Sequence, residues 1–406
     1  MCVALACGCA SDTSDDAASR TDLVALPDGE GWRFRMVTTQ APGVENEMCQ
    51  LVEAPPEGFS YNRQEVDYDG TSHHVLLFET ALTELPDDVP QGAFECDGFG
   101  DFEATRLLGG AQDPSSTFLQ GLPEGVAIRV PPGAILLMNT HFINTTDEEA
   151  QTETTVDLYT VPQDEVTQEA GVIFWFNWFA DLQPQASASS WNACPITRDV
   201  TLLDAQSHMH ARGVNFVAET RDAPRDGEGD ELYASDAWEY VQVETYPEGV
   251  ALAEGSWVSW QCDYENVGDE AIGIGPKSSD EMCMFVGAYY PRDPALEWCS
   301  DDGTFAHWMR AAELQGQGTL TCAEAATCAV ESAAGALDDA YQACILSACP
   351  EVSAELSTAV RCDLIARTGD GPCAEICVNA PPPECQGCIF TECGDELSAC
   401  IDATCD

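Results

Sequence analysis

Twelve of the chain's 21 cysteines lie after residue 320. That density in a short stretch marks a disulfide scaffold, and so many cysteines exclude a reducing cytosol. Six more sit in the body (Cys49, Cys96, Cys194, Cys262, Cys283 and Cys299), and Cys2, Cys7 and Cys9 crowd the start. Body and tail together hold 18, an even number, as full pairing requires. Between the tail cysteines run Ala-rich stretches at 323–326 and 332–337, good helix formers. Residues 317–406 are therefore predicted to be a small helical region stapled by up to six disulfides. Cys385-Gln386-Gly387-Cys388 has the spacing of half a zinc site. No histidine and no second such pair follow, so disulfides are the expectation there too.

The body reads differently. From residue 28 to 316, short apolar or alternating runs are broken by Pro and Gly, as in 75–78, 126–130, 135–138, 155–159, 172–176 and 285–290. Many short strands with turn signals between them predict a mainly β fold of sandwiches or barrels. Such a length is too great for one sandwich, so two are expected, an N-terminal one over 28–182 and a C-terminal one over 183–316. Residues 1–27 begin apolar and turn acidic. They are similar to the end of a bacterial lipoprotein signal followed by a polar tether. A lipid anchor on Cys9 would leave an even number of other cysteines; on Cys7 it would leave Cys9 single. No stretch is long and apolar enough to span a membrane. The expectation is an extracytoplasmic protein, secreted or carried as a surface or periplasmic lipoprotein of a bacterium.

A net charge of −56, from 15 Lys+Arg against 71 Asp+Glu, repels nucleic acid and anionic lipid headgroups and excludes both as partners. The chain has no Gly-x-Ser-x-Gly elbow, phosphate loop or dinucleotide fingerprint. In so acidic a chain, paired carboxylates carry no information.

The six histidines do carry information. Five fall as His73-His74, His141 and His208-Met209-His210, and Met282 follows inside Asp-Glu-Met-Cys. Side chains at i and i+2 on a strand share a face, so His208 and His210 can chelate one ion. Met282 would add a thioether, a ligand that suits Cu(I) and does little for zinc, magnesium or calcium; read alone it would be a core methionine. His73 and His74, being adjacent, face opposite ways unless a bulge or strand end intervenes. Both can then ligate one ion with His141; otherwise one ligates and the other is structural. His307 is read as structural or surface. The pattern predicts two separate metal sites in a two-copper redox protein.

This ordered set resembles the copper type II, ascorbate-dependent monooxygenases, the family with peptidylglycine α-hydroxylating and dopamine β-monooxygenase branches. The resemblance covers roughly residues 28–312. It is carried by 72–78, by Ser207-His208-Met209-His210, and by Ser279-Asp280-Glu281-Met282-Cys283 running on to Tyr289-Tyr290-Pro291. It implies two jelly-roll-like antiparallel β-sandwiches, each with one copper, facing across an open cleft. His73, His74 and His141 would hold the electron-transfer copper. His208, His210 and Met282 would hold the catalytic copper where dioxygen binds. It implies disulfides Cys49–Cys96, Cys194–Cys299 and Cys262–Cys283, ascorbate or a similar reductant as co-substrate, and hydroxylation of an activated C–H bond in a small organic molecule. A copper-binding or storage protein without turnover is the alternative. The chain departs from the peptide-amidating branch. Gln206 stands where that branch has a carboxylate-binding arginine, and Met284 and Val286 replace an asparagine and a tyrosine. A C-terminal-glycine peptide is thus not the expected substrate, and Tyr-Tyr-Pro is closer to the dopamine branch.

Overall fold

The computed structural model describes residues 23–405 except 69–70, 97, 99–103, 114–117, 226, 276, 301–311, 333–338, 369–370 and 380–381. The apolar start with Cys2, Cys7 and Cys9, and His307, lie outside the described residues.

The first half supplies β1 (Val24–Ala25), β2 (Gly31–Gln40), β3 (Glu45–Glu53), β4 (Phe59–Tyr68), β5 (Ser72–Thr80) and β6 (Phe94–Cys96). It continues with β7 (Ala104–Ala111), β8 (Val126–Val130), β9 (Ile135–Ile143), β10 (Ala150–Val161) and β11 (Gln168–Glu169). The second half supplies β12 (Gly171–Phe176), β13 (Ala186–Pro195), β14 (Val200–Met209), β15 (Gly213–Arg221) and β16 (Asp230–Ser235). After these come β17 (Glu244–Leu252), β18 (Trp257–Asn266), β19 (Cys283–Tyr290), the short helix α1 (Pro294–Trp298) and β20 (Glu313–Leu314).

These strands make four sheets, in the orders β1-β2-β10-β4-β8-β11, β6-β3-β9-β5-β7, β12-β19-β14-β17 and β16-β15-β18-β13-β20. All pairings but β8 with β11 are antiparallel. The mainly β prediction holds, but the arrangement is not exactly a pair of jelly rolls. The reason lies in the third sheet, which has a core on each face. Val172, Phe174, Met284 and Val286 point into the first core, with Phe34, Tyr61 and Leu77. The alternating Ile173, Trp175, Phe285 and Tyr289 point into the second, with Phe216 and Trp260. A strand apolar at every position needs two apolar faces to cover it, and β12 is buried along its whole length. Residues 171–176 accordingly leave the predicted N-terminal unit of 28–182 and pair with β19. Truncating Trp175, which is fully buried, would cost about 3–5 kcal/mol.

Scarce cations bracket the two halves. Arg106, only 4% exposed, pairs with Glu79 and Glu169, and Arg292 reaches both Glu169 and Glu297. The tail forms α2 (Cys322–Ser332), α3 (Asp339–Leu346), α4 (Ser353–Arg367), α5 (Ala374–Asn379), α6 (Pro382–Glu392) and α7 (Gly394–Asp402). Six disulfides staple it: 322–400, 328–344, 349–405, 362–393, 373–388 and 377–385. Cys385 and Cys388 are thus both taken up by disulfides. The tail is not a separate body: Tyr341, Ile345 and Leu356 extend the second core. Arg225 ties it down, with Glu313 at 2.5 Å and Ser357 Oγ at 2.9 Å.

Candidate metal centre

His73 and His74 open β5, and His141 lies beside them on β9. The register passes from Ser72 opposite Phe142 directly to His74 opposite His141. His73 is therefore the extra residue of a β-bulge, and a bulge re-aims a side chain. This brings two adjacent imidazoles to one side, and donor nitrogens of His73, His74 and His141 all lie within 4.8 Å of one another. His141 Nε2 meets Glu45 Oε1 at 3.1 Å, which leaves Nδ1 to face the other two rings. Glu45 also accepts the Ser278 N–H at 2.7 Å, so one carboxylate joins the first half to the loop before Met282. Burial would raise the Glu45 pKa, but the hydrogen bonds from Ser278 and the His141 contact carry it below the ordinary value.

His208 sits near the end of β14 opposite Met284, and His210 lies just past the strand. Continuing that register brings His210 opposite Met282. The Cys262–Cys283 disulfide and a hydrogen bond from Tyr264 to the Met282 carbonyl at 2.9 Å hold the facing segment. Gln112 Oε1 meets His208 Nδ1 at 3.0 Å, which makes Nδ1 the protonated nitrogen and leaves Nε2 its lone pair. The Asp280 carbonyl does the same for His210 Nδ1 at 3.3 Å. Glu281, fully buried, accepts the His210 and Arg212 N–H groups at 3.1 and 2.6 Å and clamps the turn. Burial pushes its pKa up to about 7 against the pull of those hydrogen bonds.

The two groups are not separated by an open cleft, as the resemblance implied. His74 and His208 ring centroids are 5.5 Å apart, as close as His73 to His74, and His208 to His210 is 5.1 Å. Five imidazoles form one cluster. The halves meet because the third sheet shares the first core and because Glu45–Ser278 and Gln112–Trp238 hydrogen bonds cross between them.

The donor set fits copper. Among the described residues, His73 Nε2, His74 Nδ1, His141 Nδ1 and His210 Nε2 are buried with no hydrogen-bond partner, which ordinary packing does not leave uncompensated. Burial, reinforced by neighbouring imidazoles, lowers the pKa of His73 and His210 to about 4 and holds those of His74 and His208 well below the ordinary value. Burial also lowers that of His141, which Glu45 partly restores. Neutral imidazoles carry the lone pairs a metal needs. Met282 lines a cavity of about 360 Å³ together with His74 and His208.

Strands β5, β9 and β14 and the turn after β14 thus bring the five histidines together, and Met282 lies just before β19. Sequence reasoning missed Glu45, Gln112 and Tyr264, which carry no signal of their own; Glu281 was visible only as a neighbour of Met282. The disulfides Cys49–Cys96, Cys194–Cys299 and Cys262–Cys283 are all formed.

No curated protein matches this sequence. Among solved structures, that of infectious bursal disease virus Gt strain is 10% identical and covers 66% of this chain and 73% of that one. Its TM-score is 0.14, too low to carry an argument. The family model described as copper type II ascorbate-dependent monooxygenase, C-terminal domain, matches residues 180–310, the stretch that carries His208, His210 and Met282. Residues 180–310 are thus similar to the C-terminal domain of the copper type II ascorbate-dependent monooxygenases.

Proposed function

We propose that this protein is a copper-dependent monooxygenase that uses dioxygen and a reductant such as ascorbate to hydroxylate an activated C–H bond of a small organic substrate. The observation that carries this reading is the convergence of five neutral imidazoles, four of them buried and His73 half-buried, with four unsatisfied buried nitrogens among them. His73, His74 and His141 would hold one copper, which takes electrons from the reductant. His208, His210 and Met282 would hold the other, the thioether favouring the Cu(I) state that meets dioxygen. When bound, the metals supply one-electron steps; overall, one oxygen atom enters the C–H bond and the other leaves as water, with two electrons and two protons from the reductant.

The chain's own residues do the positioning. Glu45, Gln112 and the Asp280 carbonyl each hold one ring nitrogen so that the other faces the site. Glu281 and the Cys262–Cys283 bridge fix the spacing of His210 and Met282. Phe118, Phe174 and Phe176 line the adjoining cavity. The disulfides require an oxidising compartment, and we read the protein as extracytoplasmic, secreted or lipid-anchored through residues 1–27.

Copper stoichiometry on the folded, oxidised protein tests this. Two coppers per chain with reductant-dependent oxygen uptake is the expected result, and zero or one would sink it.

A further inference from the structure

Beside the imidazole cluster, the cavity of about 360 Å³ lies between the β5–β9 face and the β12–β19–β14 face. This is the small end of the range for small-molecule sites, roughly 300–1,000 Å³. Phe174 and Phe176 stand 4.9 Å apart edge to face, and Trp178 follows at 5.8 Å, so one wall is aromatic. Met284 and Val286 continue it. Two polar groups matter most. Among the described lining residues no Lys or Arg occurs, and besides the histidines Glu47 is the one ionisable group. Its carboxylate already accepts the Asn139 side-chain N–H at 2.9 Å. Gln206 also lines the cavity; it is 5% exposed, and its Oε1 has no hydrogen-bond partner among the described residues.

A buried ion needs a partner, or its desolvation opposes binding. Among the described lining side chains an anion finds no cationic partner, and a cation would have to draw Glu47 from Asn139. A neutral amide or hydroxyl loses far less on burial, and a side-chain amide can donate and accept to it. We propose that the cavity takes an uncharged molecule built on an aromatic or other apolar ring, with one neutral hydrogen-bonding group met by the Gln206 amide. The inference rests on the monooxygenase reading, which makes this molecule the substrate. His74, His208 and Met282 then form the wall against which its reacting carbon lies.

Three probes of one shape and different charge test it: phenylacetamide, phenylacetate and phenethylamine. Their dissociation constants would be measured by calorimetry on copper-reconstituted protein, with copper counted on the same samples. Phenylacetamide is expected to bind about tenfold or more tightly than either ion, one unpaired charge being worth at least that much. Gln206→Leu should weaken phenylacetamide by about tenfold at unchanged copper content. Tighter binding of phenethylamine would assign the cavity to Glu47, tighter binding of phenylacetate would assign it to an anion, and no binding of any probe at millimolar concentration would remove the subsite; each overturns the proposal. Neutral selectivity on a protein that holds no copper would keep the subsite and remove the monooxygenase reading. Two coppers without that selectivity would do the reverse.

Discussion

The three-histidine group and the His-x-His group meet in one cluster, yet they are held in different ways. His73, His74 and His141 sit inside a sheet, aimed by a bulge and by cross-strand register, with one carboxylate behind His141. His208 and His210 straddle the end of β14, and Met282 lies just before β19. That group depends on a clamped turn, a disulfide and a glutamine from the other half. A ligand set within a ladder moves only if strands move. One at strand ends shifts with its turn, which would suit the site proposed to admit dioxygen and substrate.

The comparison can be broken first by removing one group at a time. Replacing His208 and His210 together with Ala is expected to abolish reductant-dependent oxygen uptake and to lower copper from two per chain to one. Loss of both coppers would show that the groups form a single site. Next, Glu45→Gln should weaken copper at the three-histidine group by about 10–100-fold, because the carboxylate that orients the His141 ring is lost. A competitive chelator titration would read this, with the other copper unmoved. Equal weakening of both would mean that Glu45 acts by joining the halves through Ser278.

Glu281 sharpens the contrast through pH. Its folded pKa, about 7, is raised from 4.5, so its protonated form favours folding. The stability it contributes is full below about pH 4.5 and is lost as pH rises through about 7, on the order of 3 kcal/mol across the window. Denaturant melts of metal-free protein should show the wild type losing ground to Glu281→Gln over that range. A constant difference would refute the buried-carboxylate account. The smallest effect is expected from Gln112→Leu, which frees His208 Nδ1 and the Trp238 carbonyl. A loss of about 1 kcal/mol in stability should accompany a change in the copper spectrum of the His-x-His site alone.

Much of this was legible in the sequence because covalent and coordination chemistry leave local marks. Twelve cysteines among Ala-rich runs could only be a stapled helical region, and no metal reading of Cys385 and Cys388 survives their two bridges. An i,i+2 histidine pair states its own geometry. The adjacent pair did not, since its use depends on a bulge whose register is set by β9. On sequence alone the fully apolar run 171–176 suits either half. Only the presence of an apolar surface on both sides assigns it to β19. Glu45 and Gln112 could not be singled out in a chain with 71 acids.

The sequence by itself determined the candidate ligand types, the β character of the body and the disulfide scaffold of the tail, because each follows from side-chain chemistry or from spacing within a few residues. Tertiary structure decided that the two histidine groups form one cluster, which carboxylate and amide orient them, and that an aromatic-walled cavity adjoins them. Those depend on contacts between residues some 70 to 230 apart in the chain, and no local pattern encodes which distant side chain the fold will bring to face another.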